Sequence, residues 1–342
     1  MRYLLFPISL IYSSITSIRN LMFNYKIFKS KSYNTPIICI GNLSTGGSGK
    51  TPHALYLINL LKKNYKIALL SRGYARNSSN FQYIQLNSSA KEVGDEPLLI
   101  KQTHPECLVV VEKNRNKGII QILKDFPETE IILLDDGFQH RWVKAGINIL
   151  TTPYYSPYYQ DFLIPAGNLR ENQKGANRAD IIIVSKTPEE SSPDEKKDII
   201  KRLNLIKDQT VYFSHIKFSK WKCINTNNEL NDKKIYSITL VTGIAHAQPL
   251  VNHIKKEGHS IYHIEYADHH KYTTKDIGNI LAKYNADKST KKLILTTEKD
   301  ATKLREFKKQ FSTKNIYFAP IEVVLEQSER FEKQILDYVA KN

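Results

Sequence analysis

Acidic residues are missing from the first quarter of this 342-residue chain, because no Asp or Glu occurs before Glu92. Twelve basic residues lie in the same stretch: Arg2, Arg19, Lys26, Lys29, Lys31, Lys50, Lys62, Lys63, Lys66, Arg72, Arg76 and Lys91. They account for twelve of the sixteen net positive charges. Such a region attracts nucleic acid, anionic lipid headgroups or a phosphorylated substrate, unless it is only a solvated basic face.

Cysteine is also scarce, with three residues and no CxxC pair. The three are Cys39, Cys107 and Cys223. This argues against a disulfide framework and against a zinc ribbon, and it fits a reducing compartment. The four histidines of "GHSIYHIEYADHHKY" suggest a zinc alternative, although no cysteine lies near and the spacing follows no usual zinc pattern. They are His259, His263, His269 and His270.

The N-terminal segment lacks the apolar content of a confident membrane span, which needs about 20 mainly apolar residues. It carries an apolar stripe at alternating intervals of four and three, which predicts one face of a helix. The stripe is Leu4, Ile8, Ile11, Ile15, Ile18 and Met22. No small-residue cleavage site follows convincingly. An interfacial helix with basic flanks on an anionic leaflet fits best, and a helix docked on the protein core, a span or a cleaved signal stay open.

A glycine-rich loop follows the first apolar strand, in "TPIICIGNLSTGGSGKTPHALYLINLLKK". Its residues are Ser44, Thr45, Gly46, Gly47, Ser48, Gly49, Lys50 and Thr51. Ser44 stands where a strict Walker A motif has glycine, but the mechanical requirements remain. Backbone amides wrap a phosphate, Lys50 reaches the β- and γ-phosphates, and the Thr51 hydroxyl can hold Mg²⁺. The sequence therefore predicts binding of a nucleoside triphosphate.

Near-continuous apolar strands alternate with helix-length segments through the first half of the chain. This pattern predicts an α/β fold with a doubly wound parallel sheet, as in P-loop NTPases. Ligands of such sheets bind beyond the carboxyl ends of the strands. The strand "IILLDD" ends in Asp135 and Asp136, one of which is expected to hold Mg²⁺ directly or through water. The alternative is a pair of surface carboxylates in a turn.

Eight segments, taken together, resemble the lipid A tetraacyldisaccharide 4′-kinase family. They are "GNLSTGGSGKTP", "SRGY", "VGDEP", "DDGFQHR", "LIPAGNLRE", "TGIAHAQPL", "ADHHKYT" and "TTEKDATKL". The resemblance covers residues 41–304 in family order and accounts for Ser44. It implies transfer of the ATP γ-phosphate to the 4′-hydroxyl of an acylated glucosamine disaccharide 1-phosphate, at the cytoplasmic face of a bacterial inner membrane.

The resemblance also implies roles for individual residues. Asp95 matches the family's proposed general base, and His269 its proposed partner on a second domain. Glu171 matches a carboxylate near the metal and the nucleotide. Further contacts to substrate are expected from Arg72, Tyr74, Arg115, Asn168 and Arg170. From the residues alone, Asp95 would be better explained as a helix N-cap, and "TTEKD" has no assigned role.

The expected domains are an N-terminal membrane-associated helix (residues 1–30), a P-loop kinase domain (31–210), a β-type linker (211–235) and a smaller α/β domain (236–342). Expected partners are ATP, Mg²⁺, the lipid acceptor and anionic inner-membrane lipids, with no obligate protein partner. A P-loop GTPase or metallochaperone-like switch is the alternative, but no clear NKxD motif occurs and "VSKT" is a distant echo. Nucleic acid is not expected, because no recognised fold motif for it accompanies the basic stretch.

Overall fold

The computed structural model describes residues 2–74, 76–78, 80–232 and 234–342, without the side chains of residues 2 and 3. Met1, Ala75, Ser79 and Lys233, which fall in three of the predicted segments, lie outside the described residues. The helices are α1 (Phe6–Asn24), α2 (Lys50–Leu61), α3 (Ala90–Val93), α4 (Asp95–Thr103), α5 (Arg115–Asp125), α6 (Pro193–Leu203), α7 (Gln248–Lys256), α8 (Thr274–Ala286), α9 (Glu298–Leu304) and α10 (Ser328–Ala340).

The strands are β1 (Ile37–Gly41), β2 (Ile67–Ser71), β3 (Gln82–Tyr83), β4 (Leu108–Val111), β5 (Ile131–Asp135), β6 (Ile147–Pro153), β7 (Ile181–Ser185), β8 (Thr210–Phe218), β9 (Lys222–Cys223), β10 (Ser237–Thr242), β11 (Ser260–Glu265), β12 (Lys292–Thr297), β13 (Ile316–Ala319) and β14 (Ile321–Leu325). Short 3₁₀ turns cover Arg2–Leu5, Tyr158–Gln160, Gln173–Arg178 and Arg305–Phe307.

A large sheet holds the first half of the chain. Among the described residues its strand order is β14-β8-β7-β6-β1-β5-β2-β4-β3, with β14 and β3 antiparallel at the two edges and all other neighbours parallel. Both faces are covered, because alternate side chains of β1 enter different cores. Ile38 and Ile40 pack with α2, α4 and α10, whereas Ile37 and Cys39 pack with α5. Burial on both faces explains why the central strands are apolar throughout.

A smaller sheet has the order β11-β10-β12-β13-β9 in the part of the chain that the structure describes, and only β9 is antiparallel to its neighbour. Helix α7 covers one face through Leu250, Val251 and Ile254. Helices α8 and α9 cover the other face. The mixed α/β architecture with parallel sheets agrees with the predicted fold class.

The segment boundaries in the second half differ from the expected domain limits. The stretch predicted as a linker is divided, because β8 extends the large sheet and β9 joins the smaller one. The end of the chain returns to the large sheet, where β14 pairs antiparallel with β8 and α10 buries Phe331, Ile335 and Val339. Residues 236–342 are therefore not a single unit, since β14 completes an edge that β8 would otherwise leave unpaired.

Helix α1 presents its apolar stripe outward. Ile11 and Ile15 are 64% and 61% exposed, and Leu4, Ile8 and Ile18 are similarly open. The opposite, more polar side contacts the protein: Ser9 is buried and its hydroxyl donates to the Leu163 carbonyl (3.0 Å). No helix among the described residues has both the length and the apolar character needed to cross a membrane. The helix is thus docked and amphipathic at once, with the apolar face left uncovered.

Candidate active site

The glycine-rich loop lies between β1 and α2, at the carboxyl edge of the large sheet. Gly46 (φ 99°) and Gly49 (φ 85°) take left-handed backbone conformations that residues with a Cβ rarely adopt. Lys50 starts α2, and its ammonium lies 3.5 Å from an Asp136 carboxylate oxygen. The loop therefore aims main-chain amides and one cation at the same edge, the arrangement that holds phosphates.

Two residues that sequence reasoning missed hold this loop in place. Lys186 donates to the Gly47 carbonyl (2.6 Å), and the His53 ring lies within hydrogen-bond distance of the Gly49 carbonyl (2.7 Å) and the Ser214 hydroxyl (2.9 Å). Burial lowers the pKa of His53 to about 4, so the ring is neutral at pH 7. A site role for Lys186 could have been predicted, because it directly follows β7 in "VSKT" at a strand end. Nothing in the sequence distinguishes His53 from a core histidine.

The two carboxylates that end β5 have opposite environments. Asp135 is fully buried; one of its oxygens accepts from the Ser71 hydroxyl (3.4 Å), and the other has no hydrogen-bond partner within the described residues. Burial and the nearby negative charges of Glu96 and Asp136 raise the pKa of Asp135. Burial alone would also raise the pKa of Asp136, but Lys50 and Arg170 lower it to about 2. Asp135 thus has an oxygen that a cation would satisfy.

Four residues were expected to hold Mg²⁺: Thr51, Asp135, Asp136 and Glu171. The unsatisfied oxygen of Asp135 and the Thr51 hydroxyl in the first turn of α2 fit a magnesium ion, which commonly takes one or two protein oxygens and completes its shell with phosphate and water. Asp136 and Glu171 are both engaged by other side chains. Across the described ranges, no group of three or more His, Cys, Asp or Glu side chains could hold a metal ion by itself.

The segment "LIPAGNLRE" closes over the phosphate loop. Arg170 forms a bidentate ion pair with Asp136, in which both N–H···O distances are 2.9 Å. Its Nε donates to the Ser44 carbonyl (3.2 Å). The Thr45 amide donates to the main-chain oxygen of Asn168 (2.7 Å), whose side chain bonds Asp161 instead. As they stand, Arg170 and Asn168 brace the loop.

Glu171 is tied to three elements. Its carboxylate accepts from Arg178 (2.8 Å), from Gln139 (3.1 Å) and from Asn20 of helix α1 (2.9 Å). Helix α1 makes further contacts nearby, since the Tyr12 hydroxyl donates to the Arg170 carbonyl (2.8 Å). The N-terminal helix is therefore bonded directly to the rim of the phosphate-loop site, a connection that the sequence did not indicate.

Of the remaining expected substrate contacts, two are accessible and one is not. Arg72 and Tyr74 are exposed, and the Tyr74 ring meets the His269 ring edge-on at 5.6 Å between centroids. Arg115 is 2% exposed and donates to main-chain carbonyls, including those of Asp135 and Asp136. This geometry argues against a substrate contact for Arg115, because its guanidinium is already used to brace the strand ends.

Asp95 and His269 meet between the two sheets, although they are 174 positions apart in the chain. His269 Nδ1 lies 2.9 Å from Asp95 Oδ2. The N-cap of α4 is Gly94, and Asp95 is the first helical residue; its Oδ1 accepts from the Glu96 amide (3.0 Å), which leaves Oδ2 to face His269. Burial would raise the pKa of Asp95, but the His269 hydrogen bond and the Lys299 charge lower it to about 2. The carboxylate is consequently ionised and available to accept a proton.

The four histidines of the zinc alternative each have a different partner. His259 accepts from the Tyr236 amide (3.1 Å), and His263 lies 2.8 Å from the Thr242 hydroxyl. His270 lies 3.1 Å from Asp276. Among them only His269 faces Asp95, so they do not form one site in the described structure.

Comparison with known proteins extends these observations over the whole chain. A family model described as tetraacyldisaccharide-1-P 4′-kinase matches residues 1–340. A Bacteroides thetaiotaomicron protein named tetraacyldisaccharide 4′-kinase is 40% identical, with 99% of this chain and 93% of that protein covered. A Flavobacterium johnsoniae protein of the same name is 39% identical, covering 100% and 98%. The crystal structure of LpxK from Aquifex aeolicus in complex with ATP is 28% identical, with a TM-score of 0.78 and 99% of each chain covered.

Proposed function

This chain belongs to the tetraacyldisaccharide-1-P 4′-kinase family, and from that membership together with the site we infer that it transfers the γ-phosphate of ATP to the 4′-hydroxyl of tetraacyldisaccharide 1-phosphate. It is an ATP-dependent kinase of lipid A biosynthesis. A P-loop GTPase or metallochaperone-like switch is not favoured, because the relatives that span the whole chain are named as kinases.

The observation that carries the chemistry is the hydrogen-bonded Asp95–His269 pair, whose neighbour Glu96 lies close enough to Asp135 to raise the pKa of that carboxyl. Asp95 accepts the proton of the 4′-hydroxyl while the hydroxyl oxygen bonds to the γ-phosphorus. The bond between that phosphorus and the β–γ bridging oxygen breaks, and ADP leaves with the electron pair. His269 orients the carboxylate and stabilises its charge. Asp95 lies on α4, which packs against the large sheet, and His269 lies in the loop after β11 of the smaller sheet. Closure of the two units is therefore part of the proposed mechanism.

On the nucleotide, the amides of residues 44–51 and the Lys50 ammonium bind the phosphates. Thr51 and Asp135 would hold Mg²⁺, which when bound neutralises charge on the β- and γ-phosphates. Lys50 and Arg170 sit at Asp136 in the described structure, and both are placed to turn toward phosphate oxygens when the nucleotide enters. Glu171 supports this side through Arg178 and Gln139.

On the acceptor, Tyr74 is the accessible residue whose ring meets His269, and Arg72 is an accessible cation two positions before it; we assign both to the sugar and its phosphate. The exposed stripe of α1 supports contact with the acyl chains of the acceptor and of neighbouring lipids. The basic stretch around it favours an anionic leaflet. The protein then works at the cytoplasmic face of the inner membrane of a bacterium, attached peripherally through α1.

The test is to incubate the purified protein with γ-labelled ATP, Mg²⁺ and detergent-dispersed tetraacyldisaccharide 1-phosphate. We expect a labelled bisphosphorylated lipid. The matched control is an acceptor whose 4′-position already carries phosphate, which should take up no label. Hydrolysis of ATP without labelled lipid, or labelling of the control acceptor, would contradict the proposal.

A further inference from the structure

The "TTEKD" segment brings a lysine into the Asp95–His269 pair from the second sheet. Lys299 lies in the first turn of α9, and its ammonium is 3.1 Å from His269 Nε2 and 3.7 Å from Asp95 Oδ2. It also lies 3.4 Å from a Glu96 oxygen and 3.7 Å from an Asp268 oxygen. One cation therefore touches both members of the pair and the two further carboxylates beside them.

We propose that Lys299 is a positioning residue, which fixes the tautomer of His269 and keeps the Asp95–His269 pair in the form that accepts the acceptor's proton. This proposal rests on the proposed function for the identity of the proton that moves. Lys299 acts through the imidazole and the carboxylate that it contacts, not on the nucleotide or the acceptor.

The tautomer follows from the inventory of donors. An ammonium group has only donors, so the His269 nitrogen that faces it, Nε2, must accept. The imidazole is then neutral, with its single proton on Nδ1, where it is donated to Asp95 at 2.9 Å. Asp95 must therefore be ionised. In the other neutral tautomer both contacts would be lost, since Nε2–H would face an ammonium and bare Nδ1 a carboxylate.

The charges around the pair explain why a cation is needed. Asp95 and Glu96 face the Lys299 ammonium from α4, and Asp268 faces it from the loop before α8. Lys303 of α9 also lowers the pKa of Asp95, and Tyr74 contributes only an aromatic edge to His269. Without Lys299, Asp95 and Asp268 would flank the imidazole of His269 with no lysine in contact with the ring, and Glu96 would lose its cation.

Under those conditions His269 would take up a second proton. The hydrogen bond to Asp95 raises the pKa of His269, whereas Lys299 opposes that rise. Asp268 lies 3.8 Å from Nε2 and would receive the new N–H. The imidazolium would hold Asp95 more tightly to itself, and the carboxylate would be a poorer acceptor for the hydroxyl proton.

Lys299 is also well anchored. The next residue, Asp300, is fully buried and accepts from the Gly243 amide (2.8 Å) and from the Thr297 hydroxyl (2.8 Å). Thr297 caps α9 by accepting from the Asp300 amide. These bonds fix the start of α9 against the end of β10. Lys299 can therefore reach Asp95 and Glu96 of α4 only when the two sheets stand as close as they do here. Its contact with His269 lies within the smaller unit, so closure adds the carboxylate to a lysine–imidazole contact that the smaller unit makes by itself.

The test compares Lys299→Met, Lys299→Arg and a control, Lys275→Met, whose residue is exposed on α8. Phosphate transfer to detergent-dispersed acceptor is measured between about pH 5 and pH 9, the range in which histidine titrates. Lys299 lowers the pKa of Asp95 and of His269, so its removal should move the acid limb of kcat to higher pH. We expect a loss of about tenfold to a hundredfold at pH 7 in Lys299→Met, with KM for ATP unchanged, recovery in Lys299→Arg, and no change in Lys275→Met.

A second readout does not depend on turnover. Histidine NMR of the full chain, with the His269 signal assigned through His269→Gln, should show that ring titrating at higher pH in Lys299→Met than in the wild type. An unmoved titration, a uniform loss of activity with the acid limb in place, or a loss confined to KM for ATP would each overturn the proposal. If the wild type transferred no phosphate to the acceptor, the proposed function would fail, and the titration would still decide the role of Lys299.

Discussion

The two sides of the site are built in different ways. The nucleotide side, made of residues 44–51, Asp135, Asp136 and Arg170, comes entirely from the large sheet and the loops at its carboxyl edge. The acceptor side, made of Asp95, His269 and Lys299, joins α4 to residues that follow strands of the smaller sheet. The nucleotide side can form without the smaller sheet, whereas the acceptor side cannot. Binding of ATP and transfer of its phosphate should therefore be separable by mutation.

The sides also differ in what neutralises their buried charge. On the nucleotide side, Lys50 and Arg170 pair with Asp136, and a phosphate group would exchange for that carboxylate. On the acceptor side, Lys299 remains among three carboxylates that are part of the protein. Lys50 and Arg170, which would bind the phosphates of the nucleotide, are thus separate from Lys299, which sets the protonation state of the Asp95–His269 pair.

The largest effect is expected from a change on the nucleotide side. Lys50→Ala removes the cation that reaches the β- and γ-phosphates, and we expect phosphate transfer to fall by about a hundredfold to a thousandfold. The measurement is label transfer to lipid at saturating ATP. Lys63→Ala, an exposed lysine just beyond α2, is the matched control and should retain full activity. Near-normal turnover in Lys50→Ala would refute the assignment of the phosphate loop.

A change on the outer face of α1 should leave both sides intact. The double substitution Ile11→Ser with Ile15→Ser removes two exposed apolar side chains, each contributing about 1.5–3 kcal/mol when fully buried in an apolar environment. We expect sedimentation with anionic vesicles to fall at least severalfold, and transfer to detergent-dispersed acceptor to stay the same.

The control for this change is Ile200→Ser with Ile235→Ser, two exposed isoleucines far along the chain from α1. That pair should bind vesicles as the wild type does. Equal loss in both double variants, or unchanged vesicle binding of the α1 variant, would reject α1 as the membrane-binding surface.

The smallest effect is expected where α1 touches the nucleotide side. Asn20→Ala removes the 2.9 Å hydrogen bond to Glu171, a contact worth about 1 kcal/mol. We expect a severalfold fall in kcat/KM for ATP with the acceptor KM unchanged. Ser14→Ala is the control, because that exposed hydroxyl bonds only its own helix. If the two variants behaved alike, α1 would not support the nucleotide side.

Much of the nucleotide side was open to prediction because its signals are local. The phosphate loop, the apolar strands and the carboxylates at the end of β5 are each contained in a few consecutive residues. The acceptor side was not, since Asp95 in "VGDEP" is better explained as an N-cap until His269 is seen beside it. Only the resemblance to a family paired these two residues before the structure did.

Other features had no sequence signal at all. The sequence predicted a smaller α/β domain up to residue 342 and did not indicate that β14 and α10 return to the large sheet, because that depends on which edge is left open. A basic residue at a strand end looked suited to substrate, yet Arg115 is buried on main-chain carbonyls. The stripe of α1 was visible, but the contact between Asn20 and Glu171 depends on how the opposite face docks.

The most direct test of an acceptor side assembled from both sheets is a double-mutant cycle on Asp95 and His269. Transfer rates and ATP affinity are measured for Asp95→Ala, His269→Ala and the double variant. Because the two side chains act as a unit, we expect each single change to lower kcat by about a hundredfold or more, the double variant to be little worse than Asp95→Ala, and ATP affinity to be retained throughout. Losses that multiply, or that appear in ATP affinity, would contradict the account.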